Sequence, residues 1–169
     1  VHGWRVPRLV RLFISRLRLK TGGEEGFPDS KPFCYAVCTA GDSIGKTIDT
    51  LNKCLQANHQ LQAMGISQPD SAYSLIMPES YVGLPFMDVD PSEKEKRKKE
   101  KAAQQLKAIC EDLRERKTGI SHLTEGPLPW FFTHVVGGFF EHVLITDKRF
   151  HVVEERCVKC GICANVCPV

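Results

Sequence analysis

The chain has 169 residues, 42% of them apolar and 25% charged, with a formal net charge of +3. This length suits one domain, or one domain with a small appendage, and the apolar share excludes a chain too polar to build a core. The charge is uneven: residues 1–20 hold six Arg and Lys and no acid, and the other 17 basic and 20 acidic residues leave −3, so the basic excess is local.

Residues 7–19 read as an amphipathic helix, with Leu9, Val10, Phe13, Ile14 and Leu17 inward and Arg8, Arg11 and Arg18 opposite. Thr21-Gly22-Gly23 ends it, and 21–31 is a polar loop. Phe33 to Cys38 is a short apolar run of the buried parallel-strand kind, closed by the turn Thr39-Ala40-Gly41-Asp42. A second amphipathic helix is expected from Ser43 to Asn58, and strands over Leu61 to Ser67 and Tyr73 to Met77. After a Pro- and Gly-punctuated loop at 78–91, Ser92-Glu93-Lys94-Glu95 reads as a capping box. It opens a long helix to about Lys117, with Ala102, Ala103, Leu106, Ile109, Cys110 and Leu113 inward and Gly119 as its stop. Residues 120–129 read as a linker, Pro129 to His142 as another helix, and Phe150 to Val153 as a short strand. Strands about a helix apart predict a parallel sheet built from βαβ units.

Four of the eight cysteines crowd into the last 13 residues: Cys157-x-x-Cys160-x-x-Cys163-x-x-x-Cys167-Pro168. Four thiols on one short loop do not pack as a core. This spacing, with proline after the last Cys, is the bacterial iron–sulfur run. Structural zinc sites instead pair two Cys-x2–4-Cys units across a longer spacer. The x2 steps are expected to turn three sulfurs toward one cluster face. Gly161 suits the tight bend, and Val158, Ile162, Val166 and Val169 would give apolar cover. Whether Cys167 joins the same cluster or a second one stays open. Cys34, Cys54 and Cys110 read as buried thiols, with Cys38 less settled. The six histidines show no ligand spacing.

Gly41 lies at the carboxyl end of a predicted buried strand, where open α/β sheets bind ligands. On spacing alone, a plain strand-to-helix turn with Asp42 or Ser43 as cap is the simpler account. Tyr35-Ala36-Val37-Cys38-Thr39-Ala40-Gly41-Asp42 nevertheless resembles a flavin-contacting loop of flavodoxins, and Val1 to Pro7 resembles the end of an earlier strand and its flavin-facing loop. With Met77-Pro78-Glu79-Ser80-Tyr81 and the cysteine run added, the chain resembles the EFR1-type ferredoxin family, in which a flavodoxin-like domain precedes two 4Fe–4S motifs. That resemblance implies FMN, with Trp4 beside the ring and Thr39, Ala40, Gly41 and Asp42 along its other edge. The phosphate loop of flavodoxins and the second cysteine run are missing from these residues, so the chain reads as a piece of a longer one with an incomplete flavin site.

The expected fold class is therefore α/β: a partial flavodoxin-like parallel sheet with flanking helices, followed by the start of a small ferredoxin-type iron–sulfur domain. The expected divisions are a flavodoxin-like domain at 1–119, a linker and helix at 120–149, and the first half of a ferredoxin-type domain at 150–169. The expected function is single-electron transfer between FMN and 4Fe–4S clusters, with Cys157, Cys160, Cys163 and Cys167 as metal ligands and a redox partner protein. A flavin-dependent oxidoreductase and a structural metal-binding module are the alternatives. The expected location is the cytoplasm, since no Lys/Arg region followed by an apolar run marks a leader. The most apolar stretch, Leu128 to Phe140, is too short to cross a bilayer. The basic residues of 5–20 read as the solvent face of a helix packed on the sheet, with contact to a membrane surface as the lesser alternative. They lack the interleaved aromatics used to stack nucleic-acid bases.

Overall fold

Parallel strands need a crossover of a dozen or more residues between them, and this chain supplies one twice. In the computed structural model, which describes residues 1–20, 31–79, 89–144 and 151–166, three strands form one parallel sheet in the order β1-β2-β3. They are β1 (Tyr35–Ala40), β2 (Ser71–Ile76) and β3 (Ile120–His122). The register runs from Tyr35 opposite Ser71 to Ala40 opposite Ile76, and Ser71 to Tyr73 lie opposite Ile120 to His122. Helix α1 (Arg8–Arg16) precedes the sheet, α2 (Thr47–Gln56) and α3 (His59–Ala63) connect β1 to β2, and α4 (Ser92–Arg114) connects β2 to β3.

Asp70 sets the start of the ladder. Its carboxylate accepts from the Cys34 N–H (2.9 Å) and the Lys31 ammonium (2.5 Å), and its own N–H donates to the Cys34 carbonyl (2.6 Å). Tyr73 and Leu75 alternate onto one face of β2 and pack on Ala102 and Ile109 of α4, with Met77, Leu113 and Ile120 around them. A second cluster, Ile14, Leu55, Leu61 and Ile66, forms where α1, α2 and α3 meet. Burying one large apolar side chain contributes about 1.5–3 kcal/mol.

Several local expectations are corrected. Leu61 to Ser67 is not a strand. Asn58 caps a helix there, its side-chain oxygen accepting from the Gln60 and Leu61 N–H groups (3.1 and 3.3 Å). The helix expected from Ser43 starts at Thr47, because Gly45 takes a left-handed φ of 55° and the Ile44 N–H is drawn to the Thr124 carbonyl (2.9 Å). Ser92 makes no capping box; it is the first helical residue after Pro91, and no side chain caps that end. On α4 only Ala102 and Ile109 are buried, and Leu106 is 46% exposed. The linker expected at 120–129 begins with β3. His151 to Val153 form no strand, and Phe150 lies outside the described residues.

The largest corrections concern burial. β1 is at one edge of the described sheet, and Tyr35 and Val37 are exposed. Of the five residues expected on the inner face of α1, only Ile14 is buried; Leu9 and Phe13 are exposed. The apolar periodicity was sound as a helix signal, but the three described strands offer that face no partner.

The last expected helix is present and takes an irregular path: α5 (Pro129–Phe131), a π-helical turn at Phe132–Val136, α6 (Gly137–Phe139), and a second π-helical turn at Phe140–Leu144. It clasps the first residues of the chain. A Cβ at Gly137 would collide with the Gly3 carbonyl, Glu141 pairs with Arg5 (3.2 Å) and Arg11, and buried Thr133 accepts from the Lys46 N–H (2.8 Å).

Candidate iron–sulfur site

The cysteine run sits on two small structures joined by a tight turn. A 3-10 turn at Glu154–Arg156 ends where the Cys157 N–H donates to the Glu154 carbonyl (3.1 Å). Helix α7 (Ile162–Val166) carries Cys163 and starts where the Gly161 carbonyl accepts from Ala164 and Asn165 (3.1 and 3.2 Å). Between them, Lys159 and Gly161 both take left-handed φ angles, 54° and 75°, on either side of Cys160. Glycine adopts that angle without the Cβ penalty, so the expected bend at Gly161 is present.

Cys157, Cys160 and Cys163 are free thiols exposed to solvent, as are Val158, Ile162 and Val166. Cys167 lies outside the described residues. Among the described residues, no three His, Cys, Asp or Glu side chains are gathered closely enough to hold a metal ion. The expected convergence of the first three sulfurs is therefore absent from this arrangement. The physical reason is that such a site is assembled by the metal: its ligands repel one another as thiolates and rarely preform. The donor set itself fits a cluster. It is soft, unpaired and accessible.

At the other candidate site, the structure brings Trp4 close to the turn after β1. The indole N–H donates to the Ser43 hydroxyl (3.0 Å), and the ring packs on Phe132 at 5.0 Å. The Val1 ammonium donates to the Thr39 carbonyl (2.8 Å). The turn is engaged from its other side as well. Lys98 donates to the Gly41 carbonyl (2.7 Å), to Asp42 (3.4 Å) and to Asp90 (2.6 Å), and Asp90 also takes Lys94 (2.7 Å) and the Glu79 N–H (2.9 Å). A Cβ on Gly41 would strike the Glu79 carboxylate. A flat ring stacked on Gly41 thus fits only if Glu79 swings aside. Glu79, Asp90 and Lys98 were not foreseen: the 93–101 charge run reads as a solvated face, and its spacing does not reveal that Lys94 and Lys98 converge on one carboxylate. Ser80 and Tyr81 lie outside the described residues.

The other thiols are half-buried, and burial pushes Cys34, Cys38 and Cys54 up from the ordinary thiol value. A cavity of about 460 Å³ opens between the first residues, α1 and Glu141–His142, lined by His2, Arg8, Arg11, Leu12 and Ser15. Among the described residues, no helix is long and apolar enough to cross a membrane. Compared with known families, residues 150–169 match the 4Fe-4S binding domain. No curated protein and no solved structure matches the chain.

Proposed function

We propose that this chain carries single electrons through a 4Fe–4S cluster held by Cys157, Cys160 and Cys163, with Cys167 completing that cluster or serving a second. The observation that carries the proposal is the cysteine spacing, in a segment that matches the 4Fe-4S binding domain. A thiolate-bound cluster supplies one-electron exchange at a potential set by hydrogen bonds and exposure around the sulfurs. The protein's share is the turn at Lys159–Gly161, which presents Cys160, and the short helix that presents Cys163. A redox partner protein in the cytoplasm completes the proposal.

FMN is the finer part of the proposal. It would lie at the carboxyl end of β1, with Trp4 on one side and Thr39, Ala40, Gly41 and Asp42 on the other. Support comes from the parallel sheet and from the Trp4–Ser43 bond that holds the indole near this turn. Entry of the ring requires Glu79 and Lys98 to leave Gly41.

Anaerobic reconstitution with iron and sulfide tests the cluster. The expected product is brown, with a broad thiolate-to-iron absorption that bleaches on reduction, and Cys160→Ser loses most of it. A colourless product that takes up zinc instead would overturn the proposal. Stable retention of four irons per chain places Cys167 on the same cluster; labile or three-iron product places it on another. Titration with FMN tests the finer part separately: quenching of flavin fluorescence that Trp4→Leu weakens supports it, and unchanged fluorescence removes it.

A further inference from the structure

The cavity of about 460 Å³ lies between α1 and the π-helical turn at Phe140–Leu144, and its size is that of a small-molecule site. Its charged wall comes from these two elements: Arg8 and Arg11 from α1, Glu141 and His142 from the turn. His2 adds a second imidazole, while Val6, Pro7 and Leu12 make an apolar patch, with Val6 buried. Val1 is not part of the lining.

The charges around this space do not balance. Glu141 is the one acid in the lining, and it is engaged twice, by Arg5 (3.2 Å) and by Arg11. The Arg5 Nε is still buried without a hydrogen-bond partner among the described residues, so one carboxylate does not satisfy two guanidinium groups. Arg8 is exposed, and among the described residues no ion pair holds it. With histidines counted neutral, three arginines against one glutamate leave +2, and residues 1–20 hold no acid to offset it. The first N–H groups of α1 add to the same sign, since no side chain caps them. Ser15 spends its hydroxyl proton on the Leu12 carbonyl (2.8 Å), so recognition falls to the arginines and histidines. Arginines on an open helix face are ordinarily solvated; these two line a concave space with an apolar patch.

We propose that this cavity binds a small soluble phosphate monoester. Such an ester is close to doubly charged at neutral pH, which matches the excess of two. A guanidinium takes two phosphate oxygens at once. Arg8, which is free to turn, and the N–H groups of Arg11 not used by Glu141 then hold the phosphate. His2 and His142 hydrogen-bond its remaining oxygens, and the organic body rests on Val6, Pro7 and Leu12. Glu141 stays on Arg5 and Arg11 and fixes the orientation of Arg11. The proposal goes beyond electron transfer and stands whether or not the cysteine run holds iron.

Calorimetric titration of the full chain with phenyl phosphate tests this. The expected result is saturable binding at one site with a Kd below about 1 mM. Arg8→Gln weakens it by about tenfold. Leu12→Glu, which places a second acid in the lining, weakens it at least as much. Arg16→Gln, exposed on the same helix but outside the cavity, leaves it unchanged. Benzoate, with a single charge, binds more weakly than phenyl phosphate. Absence of saturable binding overturns the proposal. So does equal weakening by Arg8→Gln and Arg16→Gln, which marks diffuse attraction to a basic helix, or equal binding of benzoate, which removes the match to a dianion. A chain that sediments with phosphatidic acid vesicles and ignores phenyl phosphate overturns it in favour of a lipid headgroup beside the exposed Leu9 and Phe13.

Discussion

Asp90 is the residue on which the turn after β1 depends. Its carboxylate accepts from Lys94, Lys98 and the Glu79 N–H, and these bonds hold it well below the usual carboxylate range. Its side chain is only 5% accessible, and that of Lys98 12%. Because the folded value is depressed, the stabilisation is present above the ordinary Asp value of 3.8 and is lost as pH falls below it. Thermal midpoints measured from pH 7 downward should therefore fall below about pH 4. Asp90→Asn should begin lower and fall less steeply over that window. A variant whose pH profile parallels the parent would show that this carboxylate does not contribute. The same residues show what was legible at the candidate sites. Cys157, Cys160 and Cys163 are candidates from spacing alone, because the chemistry needs those residue types within one short loop, and of that reading the bend at Gly161 is present while the convergence of the sulfurs is not. The Glu79–Asp90–Lys98 set was not legible, since it joins a loop to a helix through contacts with no sequence period.

At the scale of elements, Asn58 joins three helices. Its amide donates to the Ile14 and Leu17 carbonyls at the end of α1 (2.7 and 3.1 Å), follows α2 in the chain, and caps α3 through its oxygen. It is buried, so Asn58→Ala takes the cap from the Gln60 and Leu61 N–H groups and one donor each from the Ile14 and Leu17 carbonyls, which keep the Leu17 N–H (3.3 Å) and Arg18 (2.9 Å). The expected loss is about 2–4 kcal/mol in chemical unfolding, the sum of a lost cap and two lost hydrogen bonds; a loss under about 0.5 kcal/mol would mean that water replaces the amide. Element types followed well from pattern where an apolar stripe and a burying surface coincide, as for α4 against Tyr73 and Leu75. Pattern failed at Leu61 to Ser67, where alternating apolar residues suggested a strand and the Asn58 cap decided for a helix. It failed again at β3, whose three residues are too few to show a period. For β1 the strand was legible but its burial was not, because burial depends on what lies beside the strand.

At the scale of the whole molecule, the βαβ unit and the cysteine segment share no core among the described residues. Neither apolar cluster includes a residue of 151–166, and every residue of that stretch is exposed. Cooperative unfolding requires shared buried contacts, so the two should respond separately to metal. A cluster bound by the native form stabilises what it orders, and here that is the turn from Cys157 to Cys163. Stripping iron from the reconstituted chain with a chelator should erase amide-exchange protection around Cys157 to Val166. The thermal midpoint of the far-UV signal, carried mainly by α4 and the sheet, should move by less than about 2 °C, equivalent to about 1 kcal/mol or less at this size. A drop of about 10 °C would instead mean that the cluster segment is packed into the same cooperative unit. Independence of this kind matters for electron transfer. A cluster on a segment that orders separately can be lost and rebuilt while the sheet, with Trp4 and the Gly41 turn, stays folded.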